Sequence, residues 1–399
     1  MSKAQTDTPS PRFVPFGYGL RPFFLLAGWF AVLVIGLWLW FYGSGRMPLP
    51  TLLPQFWHGH EMLFGFVTAA VAGFLLTAVP SWTGSRGFAG WPLIALTAVW
   101  LAGRIVFLAG SAVPFAVLAL VELAFLPLLA ALIAPALLRA TNRNTPMLMV
   151  LLAFWLCDAT FLYALHQADP ALARLALVAA LDVVLLLITI IGGRIVPAFT
   201  GNALRQRGLT PKIRKYPALE RFVIGAMATM LLVDLAAPHH WLAGLVAGTA
   251  GLAQAWRLAG WQGHRTLGQP LVWVLHAGYA WLPLGLLLKA AFLLGGFGWS
   301  AFWLHALGAG AAATMILAVM SRASLGHTGR PLQVGSAMAV AYLMLILAGL
   351  VRVFGPTLLP IGYLPTLMLS ASLWVAAFLV YSIIYTPILF KPRADGKPG

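Results

Sequence analysis

The residues in this chain best suited to chemistry are histidines set in apolar surroundings. Trp57-His58-Gly59-His60-Glu61-Met62 opens a long apolar run that reaches Trp82, and single histidines fall in two further runs at His276 and His305, with His327 just past the second. An ionisable group inside a membrane span is a functional candidate by default, and neutral imidazole is the commonest metal-ligand side chain. At about 100° per residue, His58 and His60 point roughly 200° apart around a regular helix, so they address two different neighbours. His58 and Glu61, three apart, are expected on one face. The remaining histidines, His166, His239, His240 and His264, fall at span ends or in gaps and read as solvated. A single cysteine, Cys157, excludes a thiolate cluster or an internal disulfide, so a metal has to rely on His, Met or carboxylate. Met315 and Met320 read as packing, since no Met-x-x-Met cluster accompanies them.

The elements that position these groups follow from composition. Of 399 residues 61% are hydrophobic and 9% charged, and the mean hydropathy of +0.91 belongs to a polytopic membrane protein. Spans are expected near 20 to 43, 56 to 80, 91 to 109, 113 to 138, 146 to 166, 171 to 197, 219 to 236, 241 to 260, 270 to 294, 300 to 320, 334 to 354 and 363 to 389, each about 20 residues or more. These make twelve helices in an all-α fold. With both termini on one side, nineteen Lys and Arg gather there, Lys3 and Arg12 among them, and Arg46, Arg174 and Arg352 remain on the other. That asymmetry predicts cytoplasmic termini. The net charge of +16 is therefore assigned to topology and lipid, not to nucleic acid. The polar N-terminus lacks a signal-peptide layout, so the first span is expected to be retained.

Span two ends Val79-Pro80-Ser81-Trp82-Thr83-Gly84, span six Val196-Pro197-Ala198-Phe199-Thr200-Gly201, and span ten runs Arg322-Ala323-Ser324-Leu325-Gly326-His327-Thr328-Gly329. The chain thus reads as one transmembrane domain, 1–399, with repeats near 16–140, 141–262 and 263–390 that make spans two, six and ten equivalent. Three four-helix units resemble the layout of heme-copper oxidase and nitric oxide reductase core subunits, although span six has no histidine and the oxidase ligand pattern is not reproduced.

Several other polar groups need partners. Arg104 in span three and Glu122 in span four are expected to pair. Asp158 and Asp182 sit in spans five and six, and Lys289 in span nine reads as snorkelling. Gly192-Gly193 admits close approach by a neighbour or by a flat ligand. Arg194 either snorkels to the headgroups or binds an acidic group. Tyr279 lies one turn from His276 on the same face, and the aromatic and basic stretch Phe16–Phe24 reads as an interface anchor.

Taken together, Leu20-Arg21-Pro22-Phe23-Phe24, Trp57–Phe66, Gly73–Pro80, Gly192-Gly193-Arg194-Ile195-Val196-Pro197, Leu275–Trp281 and Met320–Arg330 resemble the NnrS family of bacterial membrane proteins. The resemblance implies a heme- and copper-containing inner-membrane protein tied to nitric oxide metabolism and protection from nitrosative stress. It carries neither a reaction nor a ligand assignment, and names no electron donor. Combined with the residues, it leads to a hypothesis. His58, His60 and His305 build one or two metal centres, His276 and His327 ligate a second centre or exchange protons, Glu61 orients an imidazole, and Arg194 and Arg322 hold propionates if a heme lies toward the cytoplasmic face. The competing classes are a proton-coupled secondary transporter, which the buried Arg104, Glu122, Asp158 and Asp182 would serve, and a heme or metal delivery factor.

Overall fold

The computed structural model describes residues 14–49, 52–139 and 143–397, so Lys3 and Arg12 of the topology argument lie outside the described residues. The long helices are α1 (Leu20–Ser44), α2 (Pro54–Thr83), α3 (Trp91–Ala112), α4 (Phe115–Arg139), α5 (Met147–His166), α6 (Pro170–Gln206), α7 (Pro217–Ala236), α8 (Trp241–Ala259), α9 (Pro270–Gly295), α10 (Gly298–His327), α11 (Ser336–Leu358) and α12 (Tyr363–Phe390). Ten of these are long and apolar enough to cross a membrane. The two that fall short are α7, with Glu220, Arg221 and Asp234, and α8, with Gln254 and Arg257. Glu220, Asp234, Gln254 and Arg257 meet partners on neighbouring helices.

Local sequence sets the helix ends. Proline occupies the first turn of α2, α3, α6, α7 and α9, where its missing N–H is no loss. Asp169 caps α6 by accepting from the Ala171 and Leu172 amides at 3.0 Å. The Pro-x-x-Thr-Gly motif closes α2 at Gly84, whose φ of +67° suits glycine. In α6 the same motif lies inside a helix that continues to Gln206, beyond the expected end at 197. Its function is shared all the same: Thr83, Thr200 and Thr328 each donate to the carbonyl four residues back, at 2.8, 2.8 and 2.6 Å.

The centre of the bundle is formed by α2, α6 and α10, which touch one another. Their most apolar windows are 72, 67 and 61% buried, against 33 to 50% for most other spans, with α9 as the fourth deeply buried helix. The ring closes where α1 meets α12: Trp374 donates to the Ala31 carbonyl at 2.9 Å, and Arg21 donates to the carbonyls of Leu389 and Lys391 at 2.7 and 2.8 Å. Arg21 is thus no headgroup anchor. It is buried and satisfies carbonyls that the end of α12 leaves open.

Two central helices are locally unwound into π turns, Glu61–Val67 in α2 and Ala306–Ala312 in α10. Each begins one residue after a histidine, and the same offset along the chain relates His60 to His305, Gly65 to Gly310 and Thr83 to Thr328. Such turns recur at functional sites. A glycine in each lets an aromatic ring of the preceding helix approach: a Cβ on Gly65 would meet Phe30 at 2.5 Å, and one on Gly310 would strike Trp281. Gly310→Leu should therefore overpack the centre and cost about 1–3 kcal/mol, read as a lower melting temperature in detergent. Gly36→Ala, with nothing within 4 Å of its Cβ position, should leave the melting temperature unchanged.

Candidate functional site

At the end of the bundle opposite the chain termini, α2 and α10 bring His58 and His305 together. Their imidazole rings lie with centroids 6.5 Å apart and planes 12° from parallel. His58 also packs against Trp38 of α1, centroids 4.7 Å apart, and its Nδ1 is buried with no hydrogen-bond partner among the described residues. Beside His305 the chain turns small: a Cβ on Gly308, one turn on, would meet nothing within 4 Å. The guanidinium of Arg352 on α11 sits over the ring of Phe302, three residues before His305, at 4.9 Å, and acts on both imidazoles through its charge.

His60 faces the other way, as helical geometry requires, and is fully buried in an acidic cage. Its Nδ1 meets Glu61 Oε1 at 3.0 Å, its Nε2 meets Asp158 Oδ1 at 3.2 Å, and Glu122 Oε1 lies 3.7 Å from Nε2. Phe107 stacks on the ring, centroids 3.9 Å apart. Arg104 ties the cage together by donating to Glu61 at 2.5 Å and to Glu122, the pairing expected for Arg104. Glu61 therefore serves His60 and Arg104, not His58. Its carboxylate turns to the side of α2 where His60 and Arg104 lie. His60, Glu122 and Asp158 form the one trio of ligand-type side chains among the described residues, with ligand atoms within 4.8 Å of one another.

The other expected site residues lie elsewhere. His276 meets Thr200 Oγ1 at 2.7 Å near the opposite end of the bundle. His327 stacks with Tyr18, centroids 5.5 Å apart, and its carbonyl accepts from Arg393 at 2.8 Å. Tyr279 belongs to a buried network, accepting from Arg257 at 2.7 Å and donating to Gln254 at 2.6 Å. The glycine pair is explained by the same network: Gly192 lies against the Tyr279 ring and Gly193 against the Arg257 guanidinium, so the close approach is by neighbouring helices. Arg194 is exposed and donates to Asn144 at 2.5 Å. Arg322 sits over Phe199 at 3.9 Å, seventeen residues and so roughly 25 Å along α10 from His305. Neither arginine is at the His58–His305 pair.

Sequence reasoning passed over Arg352, counted as a loop charge, and Asp234, the partner of Lys289. Lys289 does not snorkel: it is buried, pairs with Asp234 and lies 4.8 Å from the Trp303 ring. Where α2, α6 and α10 meet beside Phe24, an open apolar cavity of about 80 Å³ is lined by residues such as Ala70, Gly192 and Met315. It offers room but no charge. Arg104→Leu should leave Glu61 and Glu122 buried without their cation, a loss of about 3–5 kcal/mol, measured as a lower melting temperature, with Arg104→Lys losing less.

The family model described as NnrS protein matches residues 15–393, and no curated protein sequence matches the chain. That match takes in every helix that builds the His58–His305 pair and the His60 cage. The chain is a multi-pass membrane protein belonging to the NnrS family.

Proposed function

We propose that this protein is a heme- and copper-containing protein of the bacterial inner membrane that protects against nitric oxide or nitrosative stress. The observation that carries the reading is the parallel pair of imidazoles from α2 and α10. Two nearly parallel imidazoles contributed by two central helices would serve as a pair of nitrogen donors to one metal. The Nδ1 of His58 is buried without a partner among the described residues, so a ring nitrogen stays available to a ligand. His58 and His305 would hold the heme iron, with the open space at Gly308 beside them. A heme iron held by two imidazoles would supply one-electron exchange. Trp38 packs against His58 beside the pair.

Copper is assigned to His60, Glu122 and Asp158, a nitrogen and oxygen donor set of the type that suits Cu(II). Arg104 would then hold Glu61. Twelve spans in one domain, three four-helix repeats and cytoplasmic termini complete the reading. It draws support from the shared offset of the π turns and from the central contacts of α2, α6 and α10. The offset pairs His60 with His305, while α6, central as it is, brings no histidine.

A second reading, proton-coupled transport, is favoured by the buried ionic groups of the His60 cage and of Lys289 and Asp234. The two readings part on colour: a stable Soret band in the purified protein supports a resident heme, and colourless protein supports transport. His58→Ala and His305→Ala should each abolish most of the Soret absorbance. His60→Ala should keep the Soret band and lose copper, measured by elemental analysis. Unchanged heme spectra and copper in all three variants would overturn the assignment.

A further inference from the structure

Arg352 stands apart from the other buried cations. It is 9% exposed, and its Nη1 is buried without a hydrogen-bond partner among the described residues. Its contacts are a 3.3 Å bond from Nη2 to the Tyr363 hydroxyl and the rings of Phe302 and Tyr363, at 4.9 and 5.6 Å. The chain has nine acidic residues, and the described ones are all engaged elsewhere. Glu61, Glu122 and Asp158 serve Arg104 and His60; Asp234 serves Lys289, with Asp182 beside it; Glu220 serves Arg257; Asp395 serves Arg393; Asp169 caps α6. Asp7 lies outside the described residues.

Two further buried nitrogens without partners belong to this end of the bundle. Trp38 Nε1 and His58 Nδ1 belong to rings 4.7 Å apart. Tyr42, 5.7 Å from Trp38, lies within electrostatic reach of Arg352. Three helices, α1, α2 and α11, therefore carry unpartnered buried nitrogens at this end of the bundle, one of them on a permanent cation. A buried polar group left unpaired costs about 1–3 kcal/mol, more when charged. An uncompensated guanidinium at membrane depth is the most expensive of the three.

We propose that Arg352, with Trp38 and His58, forms a binding site for one carboxylate or small oxyanion at the His58–His305 end of the bundle. A monovalent anion cancels the charge, and its oxygens match the planar fork of a guanidinium. The anion has two possible sources with this chemistry: a propionate of a heme bound by His58 and His305, which rests on the function proposed above, or a free anion such as nitrite, which does not.

The test uses the full-length protein in detergent as wild type, Arg352→Gln and Arg352→Lys, with sodium nitrite and sodium formate titrated by calorimetry and heme per chain read from the Soret band. For a propionate, Arg352→Gln lowers heme occupancy and moves the Soret maximum, Arg352→Lys restores part of both, and neither small anion binds the wild type. For a free anion, nitrite or formate binds the wild type saturably, and Arg352→Gln weakens binding roughly 10- to 100-fold, the loss of a charge-assisted hydrogen bond. If Arg352→Gln does not fold, Arg352→Lys carries the comparison, since it keeps the charge and loses the fork. Equal heme occupancy, an unmoved Soret band and identical titrations in wild type and variant overturn the proposal. His305→Ala separates the two readings: full heme occupancy in that variant overturns the metal centre, and the nitrite and formate titrations then decide the anion site alone.

Discussion

A charge carried into hydrocarbon has to be cancelled by something within reach, because its own hydration is gone. Most of this bundle can be read from how it meets that demand. Arg104 on α3 gathers Glu61 from α2 and Glu122 from α4, and His60 adds Asp158 from α5. Glu220 on α7 holds Arg257 on α8, and Asp234 on α7 holds Lys289 on α9. Each partner comes from a different helix, so the ion pairs and the helix arrangement depend on each other. This also explains why α7 and α8, too polar to stand as spans alone, belong in the bundle: their charges are neutralised by neighbours.

Against that background the His58–His305 end is unusual. It has two imidazoles, an arginine and an indole but no acid among the described residues, and its polar nitrogens are the ones left open. The two π turns mark the same region from the backbone side. In both α2 and α10 the helix loosens immediately after a histidine, and a glycine in each turn admits an aromatic ring. The small residues after His305 thus have two jobs: Gly310 packs against Trp281 while Gly308 leaves space free.

Much of this was legible in the sequence and some of it could not be. Hydropathy located the helices, because twenty apolar residues in water have few alternatives. The opposite facing of His58 and His60 followed from helical geometry, and the Arg104–Glu122 pair from the cost of leaving either alone. Glu61 was expected on the face of His58, but its carboxylate turns to His60 and Arg104, and the approach of Arg104 from α3 depends on packing between helices. Gly192 and Gly193 admitted either a neighbour or a flat ligand, and residues on α8 and α9, far along the chain, are the neighbours that approach them. Arg352 looked like a loop charge because it lies near the end of its span, and only the packing of Phe302 and Tyr363 around it reveals that it is enclosed. Arg21 was misread for the same reason. Its partners are carbonyls at the far end of the chain, and carbonyls leave no mark in a sequence.

The central claim is that His58 and His305 grip one metal between parallel rings. Electron paramagnetic resonance of the oxidised, purified protein tests it most directly. Two nearly parallel imidazoles on one ferric heme predict a low-spin, rhombic spectrum. A purely high-spin spectrum, or no ferric heme signal in metal-replete protein, would contradict the account.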